Sequence, residues 1–179
     1  MTSPQCEPQV LFTRKEVAAA VKRLAAEIKR DYAGKNPVLI GILKGSFIFM
    51  ADLIRLLDFP LTVEFVTLSS YGSSTESSGK IKLVRCLQSP VKGRDVLVIE
   101  DIVDTGLTIA FLLEYLRKRK PASLKLCSLL EKPARRKAPV TIDYLGFTVP
   151  NKFIVGYGID WNERYRHLSD ICYLEPVED

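Results

Sequence analysis

Residues 96–108 read Val-Leu-Val-Ile-Glu-Asp-Ile-Val-Asp-Thr-Gly-Leu-Thr, and no other stretch constrains the chain as tightly. β-Branched and aliphatic residues run into the acids Glu100, Asp101 and Asp104, then turn through Thr105-Gly106 into Leu107-Thr108 and an apolar, helix-like segment. The apolar part predicts a buried parallel strand over Val96–Ile99. The acids and the Thr-Gly turn predict a short loop ahead of a helix, where unpaired backbone N–H groups face outward and favour an anion. Acids able to hold Mg²⁺ or ribose hydroxyls therefore stand beside a phosphate cradle. Capping a helix needs one acid, so three ask for a different explanation. The arrangement suits a sugar phosphate that carries a leaving group.

The rest of the chain alternates short apolar runs with amphipathic stretches. Residues 13–33 read as a helix: Thr13 and Glu16 have capping-box spacing, Val17, Val21, Leu24 and Ile28 form a stripe, and Gly34-Lys35-Asn36-Pro37 stops it. Val38–Leu43 predicts a strand, Lys44-Gly45-Ser46 a tight turn, Phe47–Leu57 a helix and Leu61–Leu68 a strand. Ser69–Lys80 is rich in Ser and Gly and predicts a mobile loop, with Ile81–Leu87 returning as its partner strand. Beyond the central motif, Leu107–Arg119 reads as a helix, Leu124–Leu130 as a strand and Lys132–Pro139 as a basic loop. Tyr144–Val149, Phe153–Tyr157 and Ile171–Leu174 read as strands, and Trp161–Leu168 as a short helix or turn. This order predicts an α/β fold with a mostly parallel central sheet, in which ligands sit at the carboxyl ends of strands.

With 179 residues and neither repeat nor linker, one domain over 1–179 is expected. No apolar run approaches about 18 residues, so no membrane span is predicted. The N-terminal stretch is polar and lacks the apolar centre of a signal peptide, which predicts a cytoplasmic protein. The four cysteines, at 6, 86, 127 and 172, lie far apart, which argues against zinc. A net charge of +5 raises the question of nucleic acid, but the charges are spread along the chain apart from 117–120 and 132–137. A domain that handles phosphate-rich small molecules accounts for that balance.

Glu100-Asp101-Ile102-Val103-Asp104-Thr105-Gly106-Leu107-Thr108 resembles the phosphoribosyl-diphosphate (PRPP) binding motif of type I phosphoribosyltransferases, the hypoxanthine-guanine branch in particular. The resemblance extends over nearly the whole chain from Val10 onward. It implies the family's mostly parallel sheet flanked by helices, with a small hood and a mobile catalytic flap over 69–80. Leu43-Lys44-Gly45 is similar to the family's pyrophosphate loop, whose Leu-Lys peptide is often cis. Ser70-Tyr71 looks like the start of the flap that closes over substrate. Lys132 matches a purine-contacting lysine, whose ammonium suits the oxygen of a 6-oxopurine and mismatches the amino group of adenine. Phe153 matches a purine-stacking aromatic, Ile154 a backbone contact to the base, Asp160 an acid at a second metal position beside the base, and Arg166 a pyrophosphate-gripping arginine.

By the same resemblance, Glu100 and Asp101 hold ribose hydroxyls directly or with Mg²⁺, Asp104 through Thr108 cradle the 5′-phosphate, and Asp104 is the general base at purine N7. The implied substrates are PRPP and hypoxanthine or guanine, giving IMP or GMP plus pyrophosphate in purine salvage, and the implied assembly is a homodimer or homotetramer. Position 107 is Leu where relatives carry lysine, which costs little if the loop works through backbone N–H groups and hydroxyls. Two alternatives stay open on sequence: xanthine as the main base, and a PRPP-sensing regulator on the same fold that binds nucleic acid.

Overall fold

The computed structural model describes residues 7–70, 81–85 and 87–175. Strand β1 (Pro8–Phe12) leads into helix α1 (Arg14–Tyr32). The capping box forms as the spacing predicts: the Thr13 hydroxyl accepts from Glu16 N–H at 3.4 Å, and the Glu16 carboxylate accepts from Thr13 N–H at 2.8 Å. Strand β2 (Val38–Leu43), helix α2 (Phe47–Ile54), strands β3 (Thr62–Ser70), β4 (Ile81–Arg85) and β5 (Asp95–Val103), and helix α3 (Leu107–Arg117) come next. Strand β6 (Ser123–Glu131), a 3₁₀ turn over Pro133–Arg135, and strands β7 (Tyr144–Thr148), β8 (Phe153–Val155) and β9 (Ile171–Leu174) complete the fold.

The main sheet runs β4-β3-β2-β5-β6-β7, parallel throughout except for β4, which pairs antiparallel with β3 at the edge. Its central strands are covered on both faces, which is why β2 and β5 read as continuous apolar runs. Leu39, Leu97 and Ile99 pack against α1 and α2, through Val21, Leu24, Ile28, Phe49 and Leu53. Val38, Ile40, Val96 and Val98 face the other way, onto Ile109, Leu112 and Leu116 of α3. No described helix is long and apolar enough to cross a membrane.

Register places the loops. Leu43 ends β2 beside Thr67 of β3, Val103 ends β5 opposite Glu131 of β6, and Glu131 pairs Thr148 of β7. From β2 the chain goes outward to β3; from β5 it goes the opposite way, to β6. The strand order therefore reverses between β2 and β5, and the loops after those strands diverge to leave a crevice there. A second, antiparallel sheet, β1-β9-β8, forms a small hood. Tyr157 joins that region to α2 by donating its hydroxyl to Asp52 Oδ2 at 2.6 Å.

Several boundaries differ from the sequence expectation. Strand β5 continues to Val103 because its ladder with β6 persists that far, so Glu100 and Asp101 lie in the strand rather than beyond Ile99. Helix α2 stops at Ile54 instead of Leu57: Leu56 N–H bonds Leu53 O and Leu57 N–H bonds Ile54 O, a tightened last turn. Likewise α3 ends at Arg117, where Arg119 N–H bonds Leu116 O. Strand β8 ends at Val155 because Gly156 and Tyr157 take positive φ, 95° and 48°. Of the short helix or turn expected over 161–168, the turn forms, as a series of tight turns with positive φ at Asn162, Glu163 and Tyr165. Of the segment read as a flap, Ser69 and Ser70 close β3, while Tyr71 and residues 72–80 lie outside the described residues.

Candidate active site

At the crevice three chain segments interlock. A Cβ on Gly45 would fall onto the Asp101 carboxylate, and a Cβ on Gly158 would strike the carbonyl oxygen of Gly45. Gly158 also has φ +98°, so glycine is needed there twice over. The peptide between Leu43 and Lys44 is cis. Asp101 is buried, and burial raises its carboxyl pKa above the usual range while the Arg166 charge works in the opposite direction. Glu100 is pushed well above its ordinary value, first by burial and then by the neighbouring Asp101 charge. Its Oε2 is shut off from solvent with no hydrogen-bond partner among the described residues.

The loop after β5 is built for an anion. Gly106 precedes α3 at φ +79°, and a Cβ there would lie 2.8 Å from Ala138 O and 3.0 Å from Arg136 Cδ. The Thr105 carbonyl accepts N–H bonds from Lys137 at 2.8 Å and Ala138 at 3.1 Å, so the basic loop after β6 buttresses this turn from behind. Glycine at the cap supplies no side-chain acceptor for the first N–H groups of α3, and Leu107 N–H reaches only the Thr105 hydroxyl, at 3.5 Å. Those groups, on Leu107 and Thr108, have no intrahelical acceptor and carry the positive end of the helix dipole. Leu107 is 37% exposed there.

Asp104 and Lys132 stand near one another because their strands are neighbours. Lys132 N–H donates to Val103 O at 2.9 Å, which fixes the residue after β6 beside the residue before Asp104. The lysine is 5% exposed, and burial lowers its ammonium pKa while the Asp104 charge opposes that shift. Asp104 Oδ1 is buried without a partner among the described residues, and Oδ2 lies 3.4 Å from Arg135 Nη1. In sequence Arg135 is one charge of a basic loop; its nearness to Asp104 comes from the 3₁₀ turn, which folds that loop back.

Arg166 closes the other side. Its Nη2 lies 2.8 Å from Asp160 Oδ1 and 3.3 Å from Glu163 Oε2, and its Nη1 donates to Gly158 O at 2.8 Å. Lys44 Nζ lies 2.8 Å from Glu163 Oε1. Glu163, which carries no signal in the sequence, thus bridges two residues that do. Phe153 is half exposed at the start of β8, and Ile154 beside it is buried. Among the described residues no three acid, cysteine or histidine side chains gather as a metal cage, and Asp160 is engaged by Arg166. The side chain of Ser70 lies outside what is described.

A parallel sheet with an anion-ready helix terminus, paired acids at its switch point and a guanidinium opposite them defines a protein that binds a phosphorylated sugar. Comparison with known proteins agrees. The phosphoribosyl transferase domain model matches residues 11–162. Hypoxanthine-guanine phosphoribosyltransferase from Bacillus subtilis is 48% identical over 169 residues, 94% of each chain. That from Mycobacterium avium is 47% identical, over 93% of this chain and 85% of its own. Among solved structures, a Bacillus anthracis hypoxanthine-guanine phosphoribosyltransferase aligns with a TM-score of 0.90 at 44% identity, covering 96% of this chain and 100% of that one. A Staphylococcus aureus hypoxanthine phosphoribosyltransferase aligns equally well, with 94% and 91% covered. The chain belongs to the phosphoribosyltransferase family, in its hypoxanthine-guanine branch.

Proposed function

We propose that this chain transfers the 5-phosphoribosyl group from PRPP to hypoxanthine or guanine, giving IMP or GMP and pyrophosphate, and that its site residues divide the work among them. The observation that carries the reading is the backbone bond from Lys132 N–H to Val103 O, which sets the buried Lys132 next to the strand end that carries Asp104, ahead of the free N-terminus of α3. The backbone N–H groups of Thr105, Gly106, Leu107 and Thr108 hold the 5′-phosphate. Glu100 and Asp101 hold the ribose hydroxyls. Lys44, the Gly45 backbone and Arg166 grip the diphosphate. Lys132 donates to O6 of the purine, Phe153 stacks on its face, and Ile154 meets its edge through the backbone.

Purine N9 forms a bond to ribose C1 as the bond from C1 to the diphosphate oxygen breaks. The electron pair leaves with pyrophosphate, and the N7 proton passes to Asp104. Ser70 and Tyr71, at the start of the flap, exclude water from the cation-like ribose in this reading.

The donor set fits a divalent cation. Glu100 and Asp101 stand side by side with raised pKa values, and Glu100 Oε2 is an orphaned acceptor. Mg²⁺ characteristically takes one or two carboxylates plus substrate oxygens rather than an all-protein cage. Bound there, it would supply charge neutralisation to the departing diphosphate. Asp160 stands apart from that pair, engaged by Arg166 through Oδ1 and by Glu163 N–H through Oδ2. A homodimer or homotetramer in the cytoplasm completes the proposal, and light scattering on the eluted protein reads the assembly.

The deciding experiment is a PRPP- and Mg²⁺-dependent assay with hypoxanthine, guanine, xanthine and adenine in parallel. Conversion of hypoxanthine or guanine without adenine is expected. Turnover of adenine would overturn the role of Lys132, and PRPP binding without turnover of any base would overturn the catalytic reading.

A further inference from the structure

We propose that Glu163 is an internal stand-in for the diphosphate: its carboxylate bridges Lys44 and Arg166 in the free protein and must be displaced when PRPP binds. The inference rests on the reading of Lys44 and Arg166 as the diphosphate grip. Each oxygen takes one cation, Oε1 with Lys44 Nζ at 2.8 Å and Oε2 with Arg166 Nη2 at 3.3 Å. The two cations come from different parts of the chain, the loop after β2 and the turns between β8 and β9. An anion that spans both is what a diphosphate would be.

The local fold sets the carboxylate there. Trp161 and Arg164 form a bridge that closes a tight turn around Asn162 and Glu163, with Glu163 at φ 61°. Its N–H donates to Asp160 Oδ2 at 2.8 Å. The close seat of Gly158 on the Gly45 carbonyl brings the turn and the lysine loop together. Arg166 is held by several partners, with a side chain only 19% exposed, and its Nη2 is shared between Asp160 and Glu163. Lys44 and Glu163 are each 65% exposed at the side chain. The fixed cation therefore keeps its place while the exposed pair can separate, as displacement requires. The two cations also hold the Glu163 carboxyl below its ordinary pKa, so it stays charged at neutral pH.

Displacement penalises PRPP and the pyrophosphate product alike. The carboxylate returns to its cations as pyrophosphate leaves, which favours release. Exposed ion pairs shift equilibria by at most a factor of about five, so that is the upper size of the effect.

Steady-state kinetics on the intact enzyme test it. Glu163→Gln is expected to lower both the PRPP KM and the pyrophosphate inhibition constant about two- to fivefold, with the KM for the base unmoved. Glu163→Asp keeps the charge but is too short to span both cations, so it should shift in the same direction. A wild-type response from Glu163→Asp would mean general charge repulsion and overturn the bridge. A rise in either constant for Glu163→Gln would make Glu163 a support for the cations, and no change would also overturn the proposal. Lys44→Met, at an exposed side chain, separates the underlying reading: it should weaken pyrophosphate inhibition. If it does not, the diphosphate grip itself is misassigned; if it does while Glu163→Gln fails to tighten binding, only the stand-in falls.

Discussion

At Asp104, one carboxylate oxygen is sealed from solvent without a partner among the described residues, while the other lies 3.4 Å from Arg135. An unpaired buried acceptor costs about 1–3 kcal/mol, which a folded chain tolerates where a ligand completes the bond. A proton arriving from the purine would do so. Asp104→Asn should therefore lower turnover about 10²–10⁴-fold, the usual share of a general base. PRPP affinity should stay nearly unchanged, since the cradle works through backbone N–H groups. Steady-state kcat with calorimetric PRPP binding checks both; undiminished turnover would sink the assignment. The place of Asp104, in a Thr-Gly loop after an apolar strand, was legible in the residues themselves, while the role proposed for it came from the family resemblance. Arg135 and Glu163 were not: in sequence they are charges among charges, and only turn geometry sets them against Asp104 and Lys44.

At the scale of elements, legibility tracked periodicity. Helix α1 and strands β2 and β6 carry either a long stripe or an uninterrupted apolar run, and each forms close to its expected bounds, while β5 forms where expected but runs on past Ile99 to Val103. Strand β1 was not legible because Pro8-Gln9 gives no alternation; its order comes from pairing with β9 at the far end of the chain, where a first-position proline costs no ladder bond. The segment 161–168 was legible only as a short helix or turn, and positive φ at Asn162, Glu163 and Tyr165 decides for the turn. The capping box on α1 offers a clean test of an element read correctly. Thr13→Ala removes the side-chain acceptor for Glu16 N–H and should cost about 1 kcal/mol. Urea unfolding should show it as a lower midpoint at unchanged slope, with activity intact because α1 lies away from the crevice.

For the whole molecule, the site and the scaffold pull stability in opposite directions as pH changes. On the scaffold, Asp31 of α1 takes Lys125 Nζ at 2.8 Å and the Tyr144 hydroxyl at 2.7 Å, clasping the helix to β6 and β7. Those bonds, Lys125 first, hold its carboxyl far below the ordinary range. A depressed carboxyl contributes stability above its unfolded pKa of about 4 and loses it as pH falls toward the folded value, so this clasp fails only in strong acid. Glu100 behaves oppositely, because burial and then the Asp101 charge raise its pKa. Above about pH 4 the folded state binds more protons at Glu100 than the unfolded chain does, so stability falls as pH rises toward the raised value. The ligand-free protein should therefore be more resistant to urea at pH 5 than at pH 8. Glu100→Gln, which has no charge to lose, should flatten that slope, and unfolding midpoints across the range for both proteins give the reading. An identical slope in the two would mean that Glu100 is not held protonated by its surroundings. With the slope present, the fold is storing at its switch point a pair of acids it disfavours in the charged form, and a cation arriving with PRPP would relieve that same penalty.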